Sequence, residues 1–418
     1  MRQTILSIVA CTTLLCGCSL ESDTPRAAEH VRYCVMAYTA DGDLEHAAGV
    51  AEIVNAITYA TKGLDVVATH EGKPWKGGGD TVHRAFIADG VQTIDESWSC
   101  PKSEFAIDDP KNLTDFIKWS AKKYPGRRYL LVIIGHGSFW DAEDAVTTRL
   151  VLSDDNTGRA MRIPDLARGI EDSGIVVDAL ISGCCLTGSI ESIAELTPVV
   201  PYICASESVM PDVAGVFPWL VKRLDSTKFA NGSLKKLLAQ YVEVTGEFNR
   251  VYNTAPGVEI LLMQGAYESA CMDDVNKQLA DIFAYMKASL DKTTATTDLP
   301  VIFGEKYASA YKRAINASSL NPFAEDTGGR DLLDVLYQCA THTGDIVLMD
   351  KLVDLMETLD KFIIAQSAST NLGDTRQSIG INTKPGKFLE DTFYKAYRTT
   401  RFDKATAYSD FMRELAMH

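Results

Sequence analysis

Residues 129–137, Tyr-Leu-Leu-Val-Ile-Ile-Gly-His-Gly, and residues 175–185, Ile-Val-Val-Asp-Ala-Leu-Ile-Ser-Gly-Cys-Cys, decide the fold. Each opens on an apolar run with the length and branched composition of a strand buried on both faces of a parallel sheet. His136 and Cys185 then stand just past the carboxyl ends of two strands, where open α/β sheets place their chemistry.

The flanking sequence reads as the rest of such a sheet. Val31–Ala37 and Leu64–Ala68 read as strands. Between them Asp43 can cap a helix carrying Leu44, Ala47, Ala51, Val54, Ile57 and Ala60 near helical spacing. Lys73–Asp80 is Gly-rich but lacks the GK[ST] ending of a phosphate loop, so it reads as a turn. Asn112–Lys123 is amphipathic and Pro125-Gly126 stops it. Asp154–Gly158 reads as a turn, and Ile163-Pro164 opens a helix through about Glu171. A helix is expected over Leu186–Leu196, immediately after the cysteines. A short strand, Pro201–Ala205, follows and runs into Ser206-Glu207-Ser208. Beyond residue 215 the pattern is mostly helical, with a further strand at Val258–Met263 and long helices over Ala270–Leu290 and Asp345–Ala365. The alternation of strand and helix predicts a doubly wound α/β sheet.

The amino terminus reads as a targeting segment. Met1-Arg2 precedes an apolar stretch, Ile5–Leu15, too short to span a bilayer. Leu15-Cys16-Gly17-Cys18 resembles a bacterial lipobox, which implies signal removal after residue 17 and lipidation of Cys18. Residues 19–28 form a polar tether. The expectation is an exported bacterial lipoprotein on the periplasmic or cell-surface face, touching the membrane through its lipid anchor only.

Hydrophobic residues make up 46% of the 418, enough for a folded chain. The formal net charge of −15 argues against nucleic acid, whose phosphates need a basic surface. Of ten cysteines, Cys34, Cys100, Cys184, Cys185, Cys204, Cys271 and Cys339 lie beyond the targeting segment. Seven is odd, so at least one is free or paired between chains. Cys34 and Cys204 sit in apolar runs and read as buried thiols. No CxxC pair is present, so no metal site is expected.

A cysteine and a histidine on adjacent α/β units suit nucleophilic acyl transfer. Cys185 is the candidate nucleophile, in a place expected to feel the positive end of the following helix. His136 can give a proton to the leaving amine. The backbone N–H groups of Gly137 and Cys185 are the candidate oxyanion donors. This chemistry needs no cofactor. The separation of His136 and Cys185, about 50 residues in the order His then Cys, is close to that of caspases.

These residues resemble the clostripain family of cysteine peptidases, in the caspase-like clan. Residues 35–45 resemble that family's opening strand and its D-N-x-L-E turn. Residues 109–119, then Tyr124-Pro125, resemble the helix before its catalytic strand. Residues 135–140 match its H-G-x-G-W segment, with Phe139 where glycine is common. Asp154-Asp-Asn-Thr with Ile163-Pro-Asp-Leu166, Asp331–Leu336 and Ser378–Ile381 match further motifs in the correct order. The family's D-A-C-L-M corresponds to Gly183-Cys184-Cys185-Leu186-Thr187. Leu186 sets the register and makes Cys185 the nucleophile, with Cys184 as a minor alternative.

The resemblance implies a caspase-like αβα sandwich with a mostly parallel sheet, plus a mainly helical C-terminal part. The expected divisions are a signal at 1–17, a tether at 18–30, a catalytic domain at 31–250, and a C-terminal subdomain completing the fold at 251–418. It implies a cysteine endopeptidase acting on peptides or proteins. The family aspartate that holds a basic P1 side chain is Gly183 here, and glycine offers no charge. Ser206, Glu207 and Asp212 are the other candidate substrate-binding residues, the two acids being possible substitutes in the P1 pocket. Family members are often activated by cleavage between His and Cys, which places a processing site after Arg149 if basic specificity is retained. The alternatives are a peptidase with a non-basic P1 preference, and a catalytically lapsed surface lipoprotein that binds peptides or glycoproteins. Oligomeric state is not specified by the sequence.

Overall fold

The structure, a computed structural model, describes residues 33–40, 64–72, 81–88, 91–99, 106–135, 137, 152–154, 159–208, 210, 217–225, 233–252, 263–296, 298, 300–319, 328–368 and 378–418. Among these the strands are β1 (Tyr33–Ala40), β2 (Leu64–Gly72), β3 (Thr81–Ala88), β4 (Val91–Ser99), β5 (Arg128–Ile134), β6 (Leu152–Asp154), β7 (Arg159–Met161), β8 (Ala179–Ser182), β9 (Tyr202–Ser206), β10 (Met263–Glu268), β11 (Gly329–Asp331), β12 (Ile363–Ala368) and β13 (Gly380–Asn382). The helices are α1 (Pro110–Lys123), α2 (Ile163–Ser173), α3 (Ile190–Leu196), α4 (Phe217–Asp225), α5 (Leu234–Tyr252), α6 (Met272–Ala288), α7 (Tyr307–Ala317), α8 (Leu332–Thr343), α9 (Ile346–Phe362), α10 (Asp391–Tyr397), α11 (Arg401–Thr406) and α12 (Tyr408–Met417).

Nine strands form one sheet in the order β12-β10-β9-β8-β5-β1-β2-β3-β4. The five middle strands, β9 to β2 in that order, pair in parallel. Both edges are antiparallel: β10 and β12 on one side, β3 and β4 on the other.

Side-chain alternation along the strands splits the core into two layers. Cys34, Met36, Leu131, Ile133, Leu180 and Ile203 face one layer, with Phe116 of α1, Ile170 of α2 and Ile193 of α3. Val35, Leu130, Val132, Ala179, Ile181 and Cys204 face the other, with Leu220 of α4 and Leu237 and Tyr241 of α5. Because both faces are covered, the central strands read as continuous apolar runs. The result is an αβα sandwich with a mainly helical C-terminal part, whose helices α6 to α12 extend the first layer.

Register brings the two decisive stretches together. Ile133 of β5 pairs with Ser182 of β8, so both strands end at the same level of the sheet. The Gly183 N–H then donates to the Ile133 carbonyl at 2.7 Å, extending the ladder by one step. Gly137 and Cys185 emerge side by side as a result.

Several local expectations shift. The helix expected from Leu186 begins only at Ile190, with Ser189 as its N-cap. Residues 186–188 cannot join it because Leu186 has φ of 60° and is tied to Ser208, just beyond β9, while Gly188 is tied to Ser206 at the end of β9. The strand expected over Val258–Met263 lies outside the described residues apart from Met263, where β10, Met263–Glu268, begins. The helix expected to run to Ala365 ends at Phe362, where Ile363–Ala368 turns into the edge strand β12. The helix expected after Asp43 and the Gly-rich turn at 73–80 lie outside the described residues.

Candidate active site

Cys185 projects from the loop between β8 and α3, and that loop is fixed from three sides. Leu186 adopts a left-handed backbone conformation, which costs an L-residue roughly 1–2 kcal/mol. It is held there by its N–H, which donates to the Ser208 carbonyl at 2.9 Å, and by the Gly188 N–H, which donates to the Ser206 carbonyl at 2.7 Å. Gly188 must be glycine, because a Cβ there would lie 2.6 Å from the Glu207 backbone nitrogen.

Across the base of the loop, the Thr187 hydroxyl donates to the Ser182 hydroxyl at 2.9 Å and lies 3.2 Å from the Cys184 carbonyl. Ser182 Oγ in turn accepts from the Cys184 N–H at 3.3 Å. Both hydroxyls are buried, so each contact replaces a bond to water that burial removed. On the β5 side, Gly137 presses against the same loop. A Cβ at 137 would stand 2.9 Å from Cys184 Cβ and 3.1 Å from the Cys185 nitrogen, and would collide with the Cys185 carbonyl.

The two cysteines have different environments. Cys184 is fully buried and its thiol faces the Ile133 carbonyl at 3.9 Å. Burial raises its pKa far above the ordinary thiol range. Cys185 is only partly buried. Burial pushes its thiol up as well, and the Met210 N–H, which donates to Cys185 Sγ at 3.2 Å, pulls the other way. The helix dipole expected to favour its thiolate is displaced, since α3 starts only after Ser189. The local donor is the Met210 backbone, which no motif in the sequence signals. Met210 also packs its side chain on Cys185.

The other residues singled out in the sequence are distributed as follows. Gly183 is buried at the ladder end. Ser206 is buried in β9 and its hydroxyl donates to the Met263 carbonyl at 3.1 Å, which ties β9 to β10. Glu207 is buried beside it, with its N–H donating to the same carbonyl at 2.8 Å. His136, Arg149, Asp212 and Cys18 lie outside the described residues. Cys34 and Cys204 are buried. Among the described residues no group of three His, Cys, Asp or Glu side chains is placed to hold a metal ion. No helix among them is long and apolar enough to cross a membrane.

A mostly parallel sheet in an αβα sandwich, with a cysteine on the loop after one central strand and His-Gly after its neighbour, defines the class of caspase-like cysteine peptidase folds. Residues 48–412 match the family model for peptidase C11, the clostripain family. That span is most of the chain, which therefore belongs to the clostripain family and is a cysteine peptidase by family.

Solved structures share the fold. A secreted C11 cysteine protease from Bacteroides thetaiotaomicron, in complex with an irreversible peptide inhibitor, is 14% identical, with a TM-score of 0.62 over 90% of this chain and 99% of its own. A second structure of a secreted C11 cysteine protease from that organism, called iotapain, is 15% identical with a TM-score of 0.61 and the same coverage. An inactive zymogen C11 protease from Parabacteroides distasonis is 13% identical, with a TM-score of 0.57 over 90% of this chain and 98% of its own. No curated protein matches the sequence.

Proposed function

We propose that the chain is a cysteine endopeptidase in which Cys185 is the nucleophile and His136 the general acid–base. The observation that carries this assignment is the contrast between neighbouring thiols: Cys184 is sealed in the core, whereas Cys185 is partly exposed at the ends of β5 and β8. The contact of Gly137 with the Cys185 backbone supports the partnership, because His136 is the residue before Gly137.

In the proposed reaction Cys185 Sγ attacks the scissile carbonyl carbon and a thioester forms as the C–N bond breaks. The His136 imidazole delivers the proton to the departing amine, and water then hydrolyses the thioester. The Gly137 and Cys185 N–H groups receive the developing oxyanion.

Specificity is proposed to be open at P1. Gly183 supplies no carboxylate, and the Ser206 hydroxyl is already committed to the Met263 carbonyl. Glu207 and Asp212 remain the acids proposed for a basic P1 residue. Processing after Arg149 is proposed on the same condition, and the inactive zymogen form of the Parabacteroides protein is in keeping with it. Export with a lipid on Cys18 is proposed from the lipobox, and the Bacteroides proteins of this fold are described as secreted. Residues 31–250 and 251–418 are proposed as the catalytic domain and the subdomain that completes it.

The second reading, a lapsed member that binds peptides, has one observation in its favour: Met210 covers the thiol. A P1-varied peptide library separates the two. Turnover by the mature protein, lost in Cys185→Ala and His136→Ala but kept in Cys184→Ala, is the expected result. No turnover on any peptide, with no labelling of Cys185 by a thiol-reactive peptide probe, overturns the peptidase reading. Intact-mass comparison of wild type with Cys185→Ala tests self-processing, and an uncut wild-type chain removes it.

A further inference from the structure

Glu191 is a wholly buried carboxyl group in the first turn of α3, and no step of the proposed reaction uses it. Burying a carboxyl is costly unless its oxygens are bonded. Two bonds to its Oε1 come from the far C-terminal part of the chain. The Asn382 N–H donates to Glu191 Oε1 at 3.0 Å and the Tyr397 hydroxyl donates to the same oxygen at 2.7 Å. Tyr408 secures the arrangement from behind, its hydroxyl donating to the Asn382 carbonyl at 2.7 Å.

The same C-terminal strand reaches the nucleophile loop directly. The Gly380 N–H donates to the Gly188 carbonyl at 2.9 Å, and Gly380 forms a parallel bridge with Ser189. Strand β13 is itself braced by β11, with which it pairs over Gly329–Asp331, and by the Tyr267 hydroxyl, which donates to the Ser378 carbonyl at 2.5 Å. Leu186 is therefore held by Ser208 just beyond β9, and Gly188 is held by Ser206 of β9 on one side and by Gly380 of β13 on the other. Glu191 adds a side-chain bond to β13 at its end, through the Asn382 N–H.

We propose that Glu191 is a positioning residue for Cys185: by binding Asn382 and Tyr397 it docks strand β13 against residues 188–189 and so fixes the loop that presents the thiol. Hydrophobic packing alone would bury α3 against the C-terminal helices, but it sets no register. The Asn382 bond does, because a shift of β13 by one residue takes the Asn382 N–H off Glu191 Oε1, while the Tyr397 bond holds the same oxygen from α10.

The inference rests on Cys185 as the nucleophile, and its test is chosen to read Cys185 with or without turnover. Glu191→Ala, Glu191→Gln and Tyr397→Phe are prepared in the full mature chain. Each is measured for kcat and KM on a turned-over peptide and for the pH dependence of Cys185 alkylation by iodoacetamide, followed on the Cys185 peptide by mass spectrometry. Glutamine keeps the Oε1 acceptor, so Glu191→Gln is expected to stay within about threefold of wild type. Glu191→Ala is expected to lower kcat about tenfold or more with KM within about twofold, the pattern of lost placement rather than lost binding. Its alkylation profile moves to lower pH as the loosened loop admits water to the thiol. Tyr397→Phe removes one donor and is expected to give a smaller change in the same direction, which keeps the test intact if Glu191→Ala does not fold. A folded Glu191→Ala or Tyr397→Phe with unchanged kcat and alkylation profile overturns the proposal, and so does a Gln variant as impaired as Ala. Absence of turnover in every protein, with a shifted alkylation profile in Glu191→Ala, overturns the peptidase reading and leaves the positioning role supported.

Discussion

Gly137 lies flat against the backbone of Cys185, with no room between them for a side chain. A methyl group at 137 would sit 3.1 Å from the Cys185 nitrogen and run into its carbonyl oxygen. Neither obstacle is the flexible end of a side chain, so the strain has to be met by moving backbone. Overpacking of this kind costs about 1–3 kcal/mol. Gly137→Ala is therefore expected to lower the melting temperature and, by spreading the two strand ends, to reduce kcat/KM by about 100-fold or more. Circular dichroism melts and peptide turnover measure the two effects. A stable Gly137→Ala protein with near-normal turnover would show that the contact has no bearing on the site.

Met210 affects the Cys185 thiol in two opposed ways. Its backbone N–H donates to Sγ at 3.2 Å, which favours thiolate, while its side chain packs on Cys185 and adds to the burial that pushes the thiol up. Met210→Ala keeps the first and removes the second. Less burial lowers the thiol pKa toward its ordinary value, so more thiolate is present at neutral pH. Alkylation of Cys185 at pH 7 is expected to rise by roughly threefold or more. Unchanged or slower alkylation in Met210→Ala would mean that the cover does not control the thiol.

Thr187 stands where the clostripain motif has methionine. In the structure it has a specific partner, the Ser182 hydroxyl, 2.9 Å away across the neck of the nucleophile loop. Thr187→Val removes the hydroxyl and leaves the shape, so Ser182 loses a buried bond at a cost of about 1–2 kcal/mol. Thr187→Ser restores it. Both stability and kcat should fall in the Val variant and recover in the Ser variant. Because Ser182→Ala already breaks the bridge, and also frees the Cys184 N–H, combining it with Thr187→Val should cost little more than Ser182→Ala alone. Additive losses measured by denaturant unfolding would refute the bridge.

What the sequence made legible follows from what is local in it. The apolar runs of β1, β5, β8 and β9 declare themselves because both faces of a central parallel strand are buried, and the end-on placement of Cys185 follows from that alone. The edge strands β3 and β4 are half-polar and carry no such run. Ile363–Ala368 continues a helical pattern without punctuation, so only its pairing with β10 makes it a strand. The delayed start of α3 was hidden for a similar reason: Leu186 is a good helix former, but its N–H is claimed by Ser208. Contacts that join distant residues left no local trace. Met210 at Cys185 and Glu191 at Tyr397 are visible only in three dimensions.

The setting of His342 predicts that the C-terminal part loses stability in acid. His342 lies in the last turn of α8, where its Nδ1 is 3.0 Å from Arg313 Nη1, and Arg313 also binds Glu305 and the Pro300 carbonyl. Burial, then the Arg313 charge, lowers the His342 pKa below its ordinary value of 6.5, and Glu305 opposes this more weakly. The folded chain thus holds His342 neutral at a pH where the unfolded chain protonates it. Above about pH 6.5 both states are neutral and His342 contributes no pH dependence. As pH falls below 6.5 the unfolded state takes up the proton first, so stability drops until the folded-state pKa is passed. His342→Gln keeps an acceptor for Arg313 and cannot titrate. Its melting temperature is expected to fall less than that of wild type between pH 7.5 and pH 5. Parallel curves for the two proteins over that range would show that the acid sensitivity lies elsewhere.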